Sequence, residues 1–490
     1  MMTSSEVSAS PYGSQWQSIN WKPIEQQVLK LQMRIAKATK EGKHGRAKAL
    51  QWILTHSHSA KLLAVKRVSQ NKGSKTPGID GVIWNTDARR MIAVTQLSRK
   101  GYQAKPLRRI YIPKKNGKLR PLGIPCMLDR AQQALYLLAL EPISETFADP
   151  NSYGFRPNRS TADAIAQCFK CLCQKNSSQW VLEGDIKACF DKIGHQWLID
   201  NIQLDKRMLQ QWLGCGFIDK GLFYKTAEGT PQGGIISPTL MLLTLAGLEQ
   251  LVKAIARKTG NRVNFIGYAD DFVITGTSKE VLVNEIKPQL MHFLEERGLT
   301  LSEEKTHVTH INDGFDFLGF NVRKYKRKLL IKPSKSNVLL FLSNMRKLIR
   351  AHATMAVNDL IKLMNPKLRG WSNYYHHCVA KQTFGYVGHQ IFQELWRWAV
   401  RRHPTKGKRW VAHKYFLNRK GQWQFHGWEK IADMDCAFNL VQISRTLIKR
   451  HVKIRSAATP FHPEFADYLR KRKQTKESRK SWFEPVPTAL

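Results

Sequence analysis

The segment Asn264-Phe-Ile-Gly-Tyr-Ala-Asp-Asp-Phe-Val-Ile-Thr275 places Asp270 and Asp271 between two short apolar runs. Phe265 and Ile266 precede the acids, and Phe272, Val273 and Ile274 follow them. Runs of aromatic and β-branched residues of this length read as strands, so the acids fall at the tight turn of a half-buried hairpin. Adjacent carboxylates on an apolar hairpin repel one another unless something positive meets them, and a divalent cation is such a partner. Asp is also an ordinary turn residue, so the pair needs a third acid before it means chemistry. Trp180 to Ile193 (WVLEGDIKACFDKI) supplies one. Val181 and Leu182 lead as a strand into Asp185, after which the pattern turns helical. Asp185 is thereby expected at the C-terminal end of a strand, whereas Asp191 has the spacing of a solvated or capping acid. Three acids on a β-scaffold suit Mg²⁺, which prefers octahedral oxygen ligands and combines few carboxylates with substrate phosphates. Two such ions about 4 Å apart stabilise both the attacking and the leaving oxygen of an in-line phosphoryl transfer.

The elements around these acids are legible by pattern. Leu107 to Pro125 (LRRIYIPKKNGKLRPLGIP) flanks Asn116-Gly117, a strong hairpin signal, with strand-like runs. It carries Arg108, Arg109, Lys114, Lys115, Lys118 and Arg120, cations that suit a triphosphate or a nucleic-acid backbone. The same charges would also blunt a solvated sheet edge, and the residues alone leave both readings open. Tyr153 to Ala164 (YGFRPNRSTADA) reads as a loop entering a helix, with Ser160 as N-cap and Arg156 and Arg159 placed to take phosphate. Gly229 to Pro238 (GTPQGGIISP) is a loop whose paired glycines let the backbone approach a ligand, and Leu240 to Leu251 continues it as an apolar helix. Residues 23–70 show helical spacing through Ile24, Val28, Leu31 and Ile35, then Ala49, Leu50, Ile53 and Leu54. Lys279 to Arg297 reads as one amphipathic helix. Leu299 to Val308 is a loop and strand holding Lys305, and Phe315 to Val322 a further strand and turn.

Lys and Arg number 79 against 37 acids, a formal charge of +42 on 490 residues. An excess of that size points to a polyanion partner, nucleic acid first. An anionic membrane surface is the rival, but no lone basic amphipathic helix concentrates the charge. Arg323 to Arg350 holds ten basic residues and no acid, and Trp396 to Lys430 holds ten against Glu429 alone. Trp396, Trp398, Trp410, Tyr415, Phe416, Trp423, Phe425 and Trp428 lie among these cations. Rings in such company stack on unpaired bases, or else form a core beneath a basic surface. Arg445 to Lys480 is a tail with twelve basic and three acidic residues, and its end reads as charged and loosely ordered. Cys168, Cys171 and Cys173 have no second pair to close a zinc site, and the eight cysteines make no disulfide framework in a chain this long. The start lacks a signal-peptide pattern, and the longest apolar run, Ile235 to Val252, is interrupted by Pro238 and Glu249. The expectation is a cytoplasmic, nucleic-acid-associated protein with no membrane partner.

Tyr268-Ala269-Asp270-Asp271 resembles the signature of reverse transcriptases. The series KTPGIDG, RRIYIPKKNGKLRPLGIP, YGFRPNRS, GDIKACFD, TPQGGIISP, GYADDFVI, GLTLSEEKT and FDFLGF is similar, block by block, to the group II intron-encoded reverse transcriptase/maturase. Leu368 to His377 (LRGWSNYYHH) and Arg401 to Tyr415 resemble the maturase, or thumb, domain of that family. The resemblance implies an α+β right-hand polymerase of fingers, palm and thumb, followed by a helical maturase domain and a basic C-terminal region. It divides the chain into a disordered N-terminus (1–20), an N-terminal extension of the fingers (21–94), fingers and palm (95–322), thumb/maturase (323–425) and a DNA-binding region (426–490). It implies RNA-directed DNA polymerisation with two Mg²⁺ ions held by Asp185, Asp270, Asp271 and the Ile186 carbonyl. Lys114 and Arg120 would grip the triphosphate, Gln232 would lie beside the incoming sugar, and Phe190 would be a steric gate against a ribose 2′-hydroxyl. Lys305 would be a palm lysine near the triphosphate. The implied partners are a group II intron RNA or another RNA template, a DNA primer or target, and dNTPs. With only Cys436 after Cys378, the paired cysteines of the family's H-N-H endonuclease are expected to be missing. Two rival readings are a splicing-only maturase and a domesticated enzyme of DNA repair or defence.

Overall fold

The computed structural model describes residues 15–113, 117, 119–419, 421–431 and 434–481. Among the described residues the strands are, in chain order, β1 (Leu107–Pro113), β2 (Leu119–Ile124), β3 (Trp180–Asp185), β4 (Phe217–Asp219), β5 (Leu222–Tyr224), β6 (Asn264–Tyr268), β7 (Asp271–Gly276), β8 (His307–His310), β9 (Phe315–Phe317), β10 (Phe320–Tyr325), β11 (Lys328–Pro333), β12 (Phe416–Arg419), β13 (Gln422–Ile431) and β14 (Met434–Asn439). The described residues fall into two units. One gathers those of Met1–Ser160, Leu182–Val308 and Ile454–Arg470, the other those of Thr161–Val181, Thr309–Lys453 and Lys471–Leu490.

In the first unit, β1 and β2 pair antiparallel from Arg108↔Ile124 to Pro113↔Leu119, as the apolar runs around Gly117 require. They belong to a sheet of order β2-β1-β4-β5, while the acid hairpin belongs to one of order β6-β7-β3-β8. The helices Trp21–Lys40, His44–His56 and His58–Ser69 bury Val28, Ile35, Leu50 and Leu54 beside the helix Met127–Phe147. Ile53, grouped with that face by its spacing, is exposed instead.

Two expected helices are interrupted, each for a local reason. The apolar run after Pro238 forms Ser237–Thr244 and Leu248–Thr259 rather than one rod. Gly247 (φ +99°) turns the chain, and the Asp149 carboxylate accepts from the amides of Gly247 and Glu249 (both 3.2 Å), capping the second helix. Ser237–Thr259 has the length and apolarity of a membrane crossing. Here it carries the fully buried Glu249, which accepts from the Asn151 amide and side chain (2.8 Å each). Lys279–Arg297 begins as a π-helix, Val281–Ile286, and continues as the α-helix Lys287–Glu295. Lys287 N–H reaches back five residues to the Leu282 carbonyl, and Pro288 has no N–H with which to continue the ladder.

Arg156 and Arg159 do not face outward to take phosphate. Arg156 donates from Nε and Nη2 to Glu145 (2.7 and 3.1 Å) and from Nη1 to the carbonyls of Asp149 and Ser152 (2.7 and 2.9 Å). Arg159 donates to Glu145 (3.1 Å) and to the Ser456 carbonyl (2.9 Å). The three charged side chains are at most 2% exposed. The expectation that these two arginines take phosphate is overturned, because the buried Glu145 already occupies both.

The second unit centres on the helices Lys335–Ala351, Val357–Tyr375, Lys381–Arg402 and Lys408–Tyr415, with β12, β13 and β14 as an antiparallel sheet. Leu342, Leu360, Leu368, Ile391, Leu395 and Trp398 share its core with Phe416, Phe425, Leu440 and Ile443. The end of the basic tail, expected to be loosely ordered, is helical, and the stretch Ile454–Arg470 belongs to the first unit. Ile454, Ala458 and Phe461 are buried, and Ala466–Ser481 is helical. These few apolar residues, diluted among the cations, are what anchors it.

Removing the guanidinium in Arg156→Ala leaves Glu145 buried with one partner fewer, and should cost about 3–5 kcal/mol. Chemical denaturation is the check. The exposed Arg409→Ala should leave the midpoint where it is.

Candidate active site

The β6–β7 hairpin pairs Tyr268 with Asp271 and Gly267 with Phe272, so Ala269 and Asp270 alone make the turn. Ala269 sits at φ +59°, a region that costs a residue with a Cβ. Phe265, Ile266, Phe272, Val273 and Ile274 are buried and hold the hairpin from both faces. The loop after Asp149 is bonded to it as well. Tyr153 N–H donates to the Gly267 carbonyl and Gly267 N–H to the Asn151 carbonyl (2.9 Å each). Behind the turn lies Gly154. A Cβ there would stand 2.2 Å from the Ala269 nitrogen, so the close approach requires glycine.

Asp185 ends β3, as expected. A Cβ on the preceding Gly184 would meet the Phe272 ring at 2.2 Å; its absence lets β3 lie against the acid hairpin. The Asp185 carbonyl accepts from Ser302 N–H (2.8 Å), and Lys187 N–H donates to the Thr300 carbonyl (2.9 Å). The loop so fixed carries Lys305, whose Nζ donates to the Asp185 carboxylate at 2.8 Å. That bond raises the pKa of Lys305, with Asp271 and Asp270 adding to it.

The two turn acids feel the opposite pressure. Burial raises the pKa of Asp270, and the Asp185 charge adds to it against Arg120 and Lys305. Asp271 keeps an edge open to solvent, yet the loss of water around its carboxylate, followed by repulsion from Asp270 and Asp185, pushes it up to about 6. The three acids therefore share one electrostatic neighbourhood with more negative charge than its cations balance. Among the described residues, no three His, Cys, Asp or Glu side chains form a closed metal-binding group. The donor chemistry still fits a divalent cation: hard carboxylate oxygens, surplus negative charge, and an ammonium already drawn to Asp185.

The remaining candidates lie around this centre. Ile186 is buried, and its bridge to Leu301 uses the Asp185 carbonyl and the Lys187 amide rather than the Ile186 carbonyl. Phe190, half-buried in the short helix Cys189–Lys192, meets Phe155 edge-on at 6.2 Å. Arg120 lies exposed on β2 and lowers the pKa of Asp270, while Lys114 lies outside the described residues. Gln232 donates from Nε2 to Asp191 at 2.9 Å. Sequence reasoning passed over Asp191, and also over Cys189, buried beside the acids, where burial and then Asp270, Asp191 and Asp185 raise its thiol. A glycine directly before Asp185 was a visible sign of close packing; nothing in the spacing marked Asp191.

Three family models match the chain: the N-terminal domain of reverse transcriptase over residues 16–97, reverse transcriptase (RNA-dependent DNA polymerase) over 112–322, and the group II intron maturase-specific domain over 338–416. Protein YkfC of Escherichia coli K12 is 37% identical over 306 residues, covering 54% of this chain and 80% of its own. Group II intron-encoded protein LtrA of Lactococcus lactis is 27% identical over 457 residues, covering 74% and 76%. A solved telomerase from Candida albicans, in complex with a TWJ fragment of telomeric RNA, aligns over 65% of each chain at 12% identity with a TM-score of 0.37.

The raised pKa of Asp271 has a sign that can be measured. Because it moves from 3.8 to about 6, the folded state binds the proton more tightly than the unfolded chain. Without metal, this group's contribution to stability is therefore present near pH 4 and is lost as pH rises through 6. Asp271→Asn should match the parent in thermal midpoint near pH 4 and exceed it at pH 7. A divalent cation should raise the parent's midpoint more at pH 7.5 than at pH 5.

Proposed function

The chain belongs to the group II intron-encoded reverse transcriptases and maturases and is an RNA-directed DNA polymerase, and from that premise we propose that it extends a DNA primer on an RNA template at Asp185, Asp270 and Asp271, with two Mg²⁺ ions. RNA and DNA are its partners. What supports the reading of the site is the crowding of three carboxylates: burial, then the neighbouring acids, raises the proton affinity of Asp270 and Asp271, while the Lys305 ammonium stands at 2.8 Å from Asp185. Reverse transcriptase domains use divalent metal ions. When bound, these supply the charge that lowers the pKa of a primer 3′-hydroxyl and neutralises the leaving pyrophosphate.

In this reading Asp185 and Asp270, with the Ile186 carbonyl, are the principal ligands, and Asp271 lies nearest the primer end. Lys114 and Arg120 hold the triphosphate, and Lys305 approaches it from the palm. Phe190 presents a ring without a polar tip to the sugar, which excludes a 2′-hydroxyl and offers it no hydrogen bond. Gln232 contacts the sugar of a bound dNTP. The domain divisions proposed are the fingers extension 21–94, fingers and palm 95–322, thumb/maturase 323–425 and a DNA-binding region 426–490. In the maturase part, exposed Trp410, Trp423 and Trp428 offer ring faces, with Lys414 4.7 Å from the Trp410 ring centre. Such pairing of ring and cation suits unpaired bases and phosphates of a group II intron RNA whose splicing and mobility the protein assists. Its place would be the cytoplasm, bound to nucleic acid.

Primer extension on an RNA template, with and without Mg²⁺, is the test. Asp270→Ala together with Asp271→Ala should reduce extension by at least about a hundredfold, since electrostatic positioning supplies most of the catalysis in this class. Undiminished extension would remove these acids from the chemistry. In the same assay Phe190→Ala should raise ribonucleotide incorporation, and unchanged sugar discrimination would remove the gate.

A further inference from the structure

The loop Glu228–Gly233 is fastened at almost every residue to the turn that follows Asp185. Gly229 N–H donates to the Ile193 carbonyl (2.8 Å) and Thr230 N–H to the Phe190 carbonyl (2.6 Å), while His195 Nε2 meets the Gly229 carbonyl (2.7 Å). Gly229 passes so close that a Cβ would stand 2.6 Å from the Asp191 carbonyl carbon. On the far side Gly123 N–H, from β2, donates to the Gln232 carbonyl (2.9 Å). The main chains of Asp191 and Gln232 are thus both fixed. Only the side-chain bond between them, Gln232 Nε2 to Asp191 Oδ2 at 2.9 Å, is free to vary.

We propose that Asp191 is a positioning residue for nucleotide selection, which determines the group that Gln232 shows to the incoming nucleotide. The inference rests on the reading that Gln232 lies beside the incoming sugar. A carboxylate accepts hydrogen bonds, and a side-chain amide has one donating and one accepting end. Asp191 can therefore hold Gln232 only by its NH₂ group, and Oε1 is turned away as an acceptor. A half-turn of the amide would set Oε1 against the carboxylate. The group that Oε1 suits is a donor, and the sugar hydroxyl of a deoxynucleotide is one. Gln232 and Asp191 line a cavity of about 490 Å³, shared with Arg109, Thr226 and Thr230, so an amide released from Asp191 has room to rotate. Asp191 touches neither substrate nor metal in this account; it acts through Gln232, one residue beyond the Phe190 gate.

The experiment is single-nucleotide incorporation by the full chain on an RNA-templated DNA primer, with KM for the dNTP and kcat measured separately. Asp191→Ala should raise KM roughly three- to tenfold, the worth of one net hydrogen bond, with kcat changed by less than about twofold. Asp191→Asn, whose side-chain oxygen still accepts, should recover most of the loss. Asp191→Ala combined with Gln232→Ala should raise KM no further than Gln232→Ala alone, because the effect of Asp191 on nucleotide KM passes through Gln232. If truncation unfolds the protein, a second pair keeps the size of both residues. Gln232→Glu should raise KM by setting two carboxylates together, and adding Asp191→Asn to it should restore at least half of the loss by reversing the bond. Multiplying effects in the double truncation, a loss confined to kcat, or no recovery in the reversed pair would each overturn the proposal. A Gln232→Ala variant with unaltered KM would instead overturn the placement of Gln232 beside the nucleotide. Gln232→Ala impaired while Asp191→Ala is inert would sink only the role of Asp191.

Discussion

Like charge in a confined space is the constraint on which the catalytic unit depends. The apolar walls around the hairpin deny Asp270 and Asp271 water and so raise their cost of ionisation, and the charge of Asp185 adds to it. The fold resists this repulsion by over-determining the backbone. Five buried apolar side chains hold the hairpin, main-chain bonds from Asn151 and Tyr153 grip Gly267, and the loop carrying Lys305 is tied to the end of β3. Behind the hairpin, Glu145, Arg156 and Arg159 form a buried ionic group, with Asp149, Asn151 and Glu249 beside it, that sets the path of the Tyr153 loop. Buried ions of this kind are a poor source of net stability, and their use here is to fix one arrangement of loop and helix.

The positive charge of the chain divides into two uses. Part answers particular carboxylates: Arg156 and Arg159 inside the fold, and the exposed Lys305 at Asp185. Arg130 and Lys324 are buried against backbone carbonyls, and many of the other cations cover surfaces, which the second unit shows to be compatible with a core. Of the aromatic residues interleaved with cations after Trp396, Trp398, Tyr415, Phe416 and Phe425 are buried, whereas Trp410, Trp423 and Trp428 stay exposed. The core reading of that aromatic run holds for the four buried rings, and the three exposed ones leave surface rings among the cations.

The sequence was most legible where a two-residue period or a turn signal acted alone. The β6–β7 hairpin, the β1–β2 pairing and the place of Asp185 at a strand end follow from such patterns. It was least legible where a distant residue decided the outcome. The break at Gly247 depends on the Asp149 carboxylate, nearly a hundred positions away, and the inward turn of Arg156 on Glu145. Asp191 looked like a solvated acid because its partner, Gln232, comes from another motif. The end of the basic tail looked loosely ordered because dense charge masks a helix, Ala466–Ser481, that no apolar stripe announces.

Gly154 and Gly184 define the positions of two acids by the atoms they lack. One lets a loop touch the turn before Asp270, and the other lets a phenyl ring lie beside the strand that delivers Asp185. A single methyl group at either would be a wedge, driving apart the carboxylates gathered at this turn. Drift in this neighbourhood can then exchange the charged groups or the loops around them, but it cannot thicken the walls. The tolerance of the centre is set by its empty volume as firmly as by its charge.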